Sequence, residues 1–170
     1  MFYRRKIILS LLQVFGGQLD KISLQKLLFL FTDKQIKADY DFIPYKYGCY
    51  SHSANADMTA MVTRGFLTED EKHFAKKDPT DYIKQLKPAD LIVLREVKAN
   101  YSNMNASALM KHTYLNFPFY AIKSEVASTI LSKSIFEKSL APSSRAARST
   151  TTQKLTWDQT FFEYRFVQNG

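Results

Sequence analysis

Apolar side chains recur at spacings of three and four along most of the chain, and this period predicts a mainly helical protein. The strongest such segment covers residues 23–35, where Ser23 stands at the position of an N-cap. Its apolar face is formed by Leu24, Leu27, Leu28, Leu30 and Phe31. The same period predicts further helices over residues 3–15, 51–64, 89–100, 106–116 and 124–138.

Residues 66–76 interrupt the helical period. Two short segments, 66–68 and 72–76, flank an acidic turn, Glu69-Asp70-Glu71, and predict a small β-hairpin. We therefore expect a helical domain of five to seven helices with at most one small sheet, partly winged-helix-like in its first half. The predicted core contains Leu27, Leu28, Phe31, Leu91, Leu94 and Leu109, and Leu115 is also predicted to point inward.

Composition changes sharply after the last predicted helix. Residues 141–154 are rich in Ser, Thr, Ala and Arg, which is typical of a linker, and residues 155–170 are aromatic again. We expect a helical domain over residues 1–140, an extended linker over 141–154, and an aromatic tail over 155–170 as the vestige of a second domain.

The overall composition describes a folded, basic protein. Apolar residues make up 45% of the 170 residues and the formal net charge is +8, which favours an acidic partner, either nucleic acid or protein. Cys49 is the only cysteine, so an intrachain disulfide is excluded and a reducing compartment is favoured. No apolar run approaches the roughly 18 residues that span a bilayer. These features predict a cytoplasmic protein without a membrane partner.

The residues that usually carry catalysis are scattered. Cys49 and His52 are close together, but a zinc site needs three or four ligands and no second pair is present. His73 and His112 lie in other predicted elements. Gly16 and Gly17 do not form a phosphate-binding loop, because they end a helix whereas such a loop follows a strand. The sequence therefore predicts no enzyme, no cofactor and no metal.

Aromatic side chains are concentrated in two predicted loops. In residues 42–51, tyrosines alternate with polar residues around Lys46, while Pro44 and Gly48 restrict the backbone. This pattern fits core packing and also fits a protein-recognition surface, where aromatic anchors are enriched. The predicted partner-binding residues are Tyr45, Lys46, Tyr47 and Tyr50, with Phe119 and Tyr120 from the second loop.

The alternative is a DNA-binding regulator of winged-helix type or the DNA-binding component of a defence system. Three helices followed by a hairpin suggest a winged helix, in which the predicted helix 51–64 would contact DNA. The candidate DNA contacts are His52, Asn55 and Arg64. Against this interpretation, the gap before the helix is long, the helix also contains Asp57, and Arg64 is its one basic residue, at its far end.

Three motifs carry a family resemblance: Leu24-Gln25-Lys26-Leu27-Leu28, Tyr45-Lys46-Tyr47-Gly48, and Gly65-Phe66-Leu67 after a helix. In this order they resemble the Panacea or SocA-like antitoxin domain, with Cys49 where that family has a proline. The stretch 108–113, followed by Pro118-Phe119, is similar to the family's closing helix. The resemblance covers about residues 1–131. It implies a mainly helical, non-catalytic module that binds and neutralises a toxin protein; the sequence leaves its oligomeric state open.

Overall fold

The computed structural model of the protein describes residues 1–131, and within them it is mainly helical with small antiparallel sheets. The helices are α1 (Tyr3–Val14), α2 (Lys21–Asp33), α3 (His52–Thr63), α4 (Pro88–Tyr101), α5 (Ala106–Asn116) and α6 (Ala127–Ile130). The strands are β1 (Gln18–Asp20), β2 (Ile43–Tyr45), β3 (Gly48–Tyr50), β4 (Leu67–Glu69) and β5 (His73–Lys76). Short 3₁₀ helices cover Ile83–Gln85 and Pro118–Ala121. The fold class is confirmed.

Two sheets are present in this part of the chain, so the expectation of at most one was wrong. In the first sheet, β1 pairs with β5 and β5 pairs with β4, all antiparallel, so the predicted hairpin gains a third strand. Strand β1 is only three residues long and pairs with a strand far along the chain, with Leu19 opposite Phe74. Three residues are too few to show the alternation of apolar and polar positions that predicts a strand. Residues 18–20 form a strand because β5 pairs with them.

The order α1–β1–α2–α3–β4–β5, with sheet order β1-β5-β4, is the arrangement of a winged helix. The hairpin β2–β3 is inserted between the second and third helices and forms its own two-stranded sheet. The predicted winged-helix character of the first half is therefore present, with an insertion at the point where a helix-turn-helix has a short turn.

Helix α2 lies at the centre of the core. Its residues 23–32 are all buried, so it has no solvent-facing side along these three turns. The helix begins two residues before the predicted start, because Asp20 and not Ser23 is the N-cap: the Ser23 backbone N–H donates to Asp20 Oδ1 at 2.7 Å. Burial on all sides means that polar side chains of α2 such as Gln25 and Lys26 need partners on neighbouring elements, whereas the Thr32 hydroxyl is buried without one among residues 1–131.

Two of the predicted inward positions differ from the structure. Leu27, Leu28, Phe31, Leu94 and Leu109 are buried, as predicted. Leu91 is only partly buried, because α4 turns Leu94, Val97 and Tyr101 to the core and leaves Leu91 at the margin. Leu115 is 44% exposed. The side of α5 that faces the core carries Leu109, Met110, Thr113 and Tyr114, and Leu115 lies outside that side.

A buried carboxylate joins the first helix to the third. Asp57 of α3 accepts hydrogen bonds from Arg4 Nε at 2.6 Å, Arg5 Nε at 2.7 Å and the Tyr40 hydroxyl at 3.1 Å. Burial by itself would raise the pKa of Asp57, but the hydrogen bonds from Arg4 and Arg5 outweigh it and hold this pKa below its usual value. The side chain therefore stays ionised and ties α3 to the N-terminal end of α1.

Three predictions extend beyond the described residues. Part of the helix predicted over 124–138 is present as the short α6, which begins after Val126 and not at residue 124. The last residues of the predicted helix, 132–138, lie outside the described part. The linker 141–154 and the aromatic tail 155–170 lie outside it entirely. Within residues 1–131, no helix combines the length and apolar character that crossing a membrane requires.

We expect Leu28→Ala to lower the free energy of unfolding by about 2–5 kcal/mol, because it removes a fully buried side chain from the centre of α2 and leaves a cavity. Leu115→Ala is the matched control and should cost roughly 1 kcal/mol or less, since Leu115 is largely exposed. Urea denaturation of both variants measures the difference. Equal losses would show that α2 is not the core helix.

Candidate interaction site

The predicted aromatic loop is a β-hairpin with two distinct faces. Its register places Ile43 opposite Tyr50, Pro44 opposite Cys49, and Tyr45 opposite Gly48. Because side chains alternate along a strand, Pro44 and Cys49 point to the interior, where both are buried. Tyr45 and Tyr50 share the other face, as diagonal neighbours across the two strands. Strand pairing thus decides which aromatic rings of this loop are available at the surface.

The outer face carries an aromatic cluster. The Tyr45 and Tyr50 rings stack with centroids 4.9 Å apart, and His52, the first residue of α3, meets Tyr50 edge-on at 5.0 Å. Tyr45 is 40% exposed and Tyr47, in the turn, is 45% exposed. We call Tyr45, Lys46, Tyr47, Tyr50 and His52 the hairpin patch. It brings together four of the predicted partner-binding residues and one predicted DNA contact.

The turn of the hairpin is fitted against α5. Gly48 has φ +89°, a conformation that glycine adopts easily and other residues rarely do. A Cβ at this position would lie 2.5 Å from Cε1 of Tyr114, which is fully buried. The Tyr114 hydroxyl is in turn hydrogen-bonded to Ser124 Oγ at 2.8 Å. Glycine is therefore required here both by backbone conformation and by close packing.

Two polar side chains of α2 bind the far side of the hairpin. Gln25 Oε1 accepts from the Ser51 backbone N–H at 3.0 Å, and Gln25 Nε2 donates to the Ser51 carbonyl at 3.4 Å. Lys26 Nζ donates to the Cys49 carbonyl at 2.9 Å. Sequence reasoning treated α2 only as an apolar core helix and missed this role. The available signal was a Gln-Lys pair inside a segment that is otherwise apolar on almost every side.

The second aromatic loop lies beside the first. The 3₁₀ helix Pro118–Ala121 contacts both β2 and β3. Tyr120 packs against Phe29 of the core at 4.7 Å, and Phe119 meets Tyr120 at 5.3 Å; both are half-buried. The chain is also linked here by the Glu125 N–H, which donates to the Lys46 carbonyl at 2.9 Å, and by a Lys46–Glu125 ion pair at 3.7 Å. Phe119 and Tyr120 therefore border the hairpin and are less accessible than Tyr45 and Tyr47.

The predicted DNA contacts do not form one surface. His52 belongs to the hairpin patch, Asn55 is half-buried one turn further along α3, and Arg64 follows Asn55 by nine residues, or about 13 Å along the helix axis. Asp57 does not oppose DNA as the sequence suggested, because it is buried against Arg4 and Arg5. The removal of Asp57 from the surface does not make α3 basic, because its outward residues between His52 and Arg64, such as Ala56 and Thr59, are small and uncharged.

Cys49 and His112, the candidates for a nucleophile, a base or metal ligands, do not lie together in a site. Cys49 is fully buried, and this burial raises the pKa of its thiol to about 11, so the reactive thiolate is scarce at neutral pH. His112 is within hydrogen-bonding distance of Tyr101 at 3.3 Å and of Asn116 at 3.3 Å, in a different part of the fold. Among residues 1–131, no three His, Cys, Asp or Glu side chains are grouped as metal ligands would be.

A cleft of about 290 Å³ opens between α2, the hairpin and α3. Tyr45 and Tyr50 of the hairpin patch line it, together with Met58 of α3 and Phe74 of β5. Lys26 also lines the cleft although its side chain is almost completely buried. Burial lowers the pKa of this lysine, because removing an ammonium group from water disfavours its charged form.

Comparison of the chain with known protein families and with curated proteins gives no match.

We expect Gly48→Ala to destabilise the protein more than Gly17→Ala. Both glycines have φ +89°, so the backbone cost of about 1–2 kcal/mol is shared, but Gly17 has open space where its Cβ would stand. The overlap with Tyr114 should add about 1–3 kcal/mol in Gly48→Ala, measured by urea denaturation. Equal losses in the two variants would mean that the hairpin can move away from α5 at little cost.

Proposed function

We propose that this chain is a non-catalytic protein-interaction module, most simply an antitoxin of the Panacea or SocA-like type that binds and neutralises a toxin protein in the cytoplasm. The observation that supports the proposal is the hairpin patch, an exposed aromatic surface on a hairpin anchored to the core from two sides. The three sequence motifs that resemble the antitoxin family support it independently of this geometry.

The composition of the patch is that of an interface hot spot. Tyrosine is enriched among the residues that contribute most to protein–protein binding, and such residues cluster at the centre of an interface. Here Tyr45, Tyr47 and Tyr50 lie together, with the charged Lys46 beside them. A partner can bury the rings and leave the lysine at the wetter rim, where charge influences the choice of partner more than affinity.

The rigidity of the patch lowers the entropic cost of binding. Gly48 is packed on Tyr114, and Gln25 and Lys26 bind the main chain of Ser51 and Cys49. The stacked Tyr45 and Tyr50 rings also restrict each other. A surface that is already ordered loses little conformational freedom when a partner docks, so more of the contact energy is retained as affinity.

A DNA-binding regulator is the second candidate, and the winged-helix strand order β1-β5-β4 favours it. The surface chemistry favours it less. The β4–β5 turn, which would serve as the wing, has the exposed acidic residues Glu69, Asp70 and Glu71, which phosphates repel. Between His52 and Arg64, the outward side of α3 carries small uncharged residues such as Ala56 and Thr59, where a recognition helix has basic and amide side chains that read base edges. If the chain binds DNA, we expect it to do so through its net positive charge and without preference for sequence.

We expect Tyr45→Ala combined with Tyr47→Ala to abolish neutralisation. The test first screens the proteins encoded in the neighbouring reading frames for one whose expression arrests growth. It then measures whether the variant restores growth when it is co-expressed with that protein. Both tyrosines are surface residues, 40% and 45% exposed, so the melting temperature should change little while the centre of the interface is lost. Leu115→Ala removes an apolar side chain of similar exposure, 44%, from α5 outside the patch, and should rescue growth like the parent protein. Full rescue by the double variant, or its unfolding, would contradict the proposal.

We expect affinity for a random-sequence DNA duplex to be weak and to fall steeply as salt is raised, because only counterion release drives such binding. Fluorescence anisotropy at several salt concentrations measures this. A footprint on a defined operator that disappears in Asn55→Ala would instead place sequence-specific DNA reading by α3 first.

A further inference from the structure

The cleft beside the hairpin contains a buried cation without a carboxylate partner. Lys26 is 2% exposed, and its one hydrogen bond in the described residues runs to the uncharged Cys49 carbonyl. An ammonium group has three N–H donors, so two remain unused. Burying a charge without an opposite charge is costly, and proteins seldom retain such a group unless something else compensates it.

The other lysines that line the cleft are already paired. Lys21 forms an ion pair with Glu69 at 2.7 Å, and Lys46 forms one with Glu125 at 3.7 Å. No aspartate or glutamate is among the residues between 1 and 131 that line the cleft. The cleft therefore presents one uncompensated positive charge, which a ligand with a single negative charge would neutralise.

The walls of the cleft suit a flat, apolar body. Tyr45 and Tyr50 stand on one side as a stacked pair, and Met58 and Phe74 add apolar surface. Asn55 also lines it, and within residues 1–131 the hydrogen bonds of Asn55 all come from its main chain, so its carboxamide is available to a ligand. A volume of about 290 Å³ lies at the small end of the range for ligand pockets and fits a single-ring molecule.

We propose that this cleft binds a small planar carboxylate, with the carboxylate accepting hydrogen bonds from Lys26 and Asn55 and the ring lying against Tyr45 and Tyr50. A carboxylate matches the single buried charge, whereas a phosphate monoester brings up to two negative charges into the same apolar space. The cleft is largely preformed, because Gln25 and Lys26 already hold the hairpin against α2. This site does not depend on the proposed toxin partner, although both use Tyr45 and Tyr50.

The lowered pKa of Lys26 agrees with this site. It reflects the cost of a desolvated ammonium group, and an anion placed beside that group would offset the cost.

The experiment is titration of the whole protein with three matched probes: benzoate, the neutral benzamide, and phenyl phosphate. Binding is followed by calorimetry and by amide chemical shifts. We expect benzoate to bind saturably, one per chain, with shifts concentrated at Tyr45, Tyr50 and Asn55. Benzamide should bind about tenfold or more weakly, because it lacks the charge-assisted hydrogen bond. Equal binding of benzoate and benzamide, tighter binding of phenyl phosphate, or no saturable binding of benzoate would each overturn the proposal.

Variants locate the site. Lys26→Met keeps the length of the side chain but removes its charge and its bond to the Cys49 carbonyl. It should weaken benzoate binding about tenfold or more, and weaken benzamide binding much less. Lys111→Met, which removes an exposed lysine from α5, should bind benzoate like the parent protein. If Lys26→Met fails to fold, Asn55→Ala decides: it keeps Lys26 in place and should weaken benzoate binding severalfold. Unchanged benzoate affinity in a folded Lys26→Met, or in Asn55→Ala when that variant decides, would overturn the assignment.

Discussion

The hydrogen bonds that join Gln25 and Lys26 to the main chain around Cys49 and Ser51 are the contacts on which the position of the hairpin patch depends. They join the central helix α2 to the hairpin β2–β3 and to the start of α3. Each satisfies a polar group that would otherwise be buried without a partner, so the two sides stabilise one another. Without them the aromatic hairpin would lose its position, and the cleft behind it would lose one wall.

The winged-helix arrangement serves here as a scaffold for that hairpin. Helix α3 is held to α1 through Asp57, Arg4 and Arg5, so its charged residue faces inward and its outer side is nearly neutral. The insertion between α2 and α3 places tyrosines next to the N-terminal end of α3, where His52 joins them. The most distinctive surface chemistry of the described residues is therefore aromatic, which suits a protein partner better than a phosphate backbone.

Sequence reasoning succeeded where structure is local. The helices over 106–116 and 51–64 and the hairpin near residues 66–76 follow from periodicity and turn chemistry, and the structure has them. It failed where a contact between distant segments decides the outcome. Strand β1 exists because β5 lies beside it, and Leu115 is exposed because α5 packs by its neighbouring face. Neither fact leaves a trace in local residue order.

The sequence by itself determined that residues 42–51 carry an excess of tyrosine on a restricted backbone, and that a strongly apolar helix precedes them. The tertiary structure decided which of those side chains are exposed, which are buried and which hydrogen bonds they form. Pairing Tyr45 with Gly48 turned Tyr45 and Tyr50 outward and Cys49 inward. Folding the hairpin onto α2 buried Lys26 against the Cys49 carbonyl. The physical reason is that exposure and hydrogen-bond partners are properties of packing between segments, whereas helix period, caps and turns are properties of neighbouring residues.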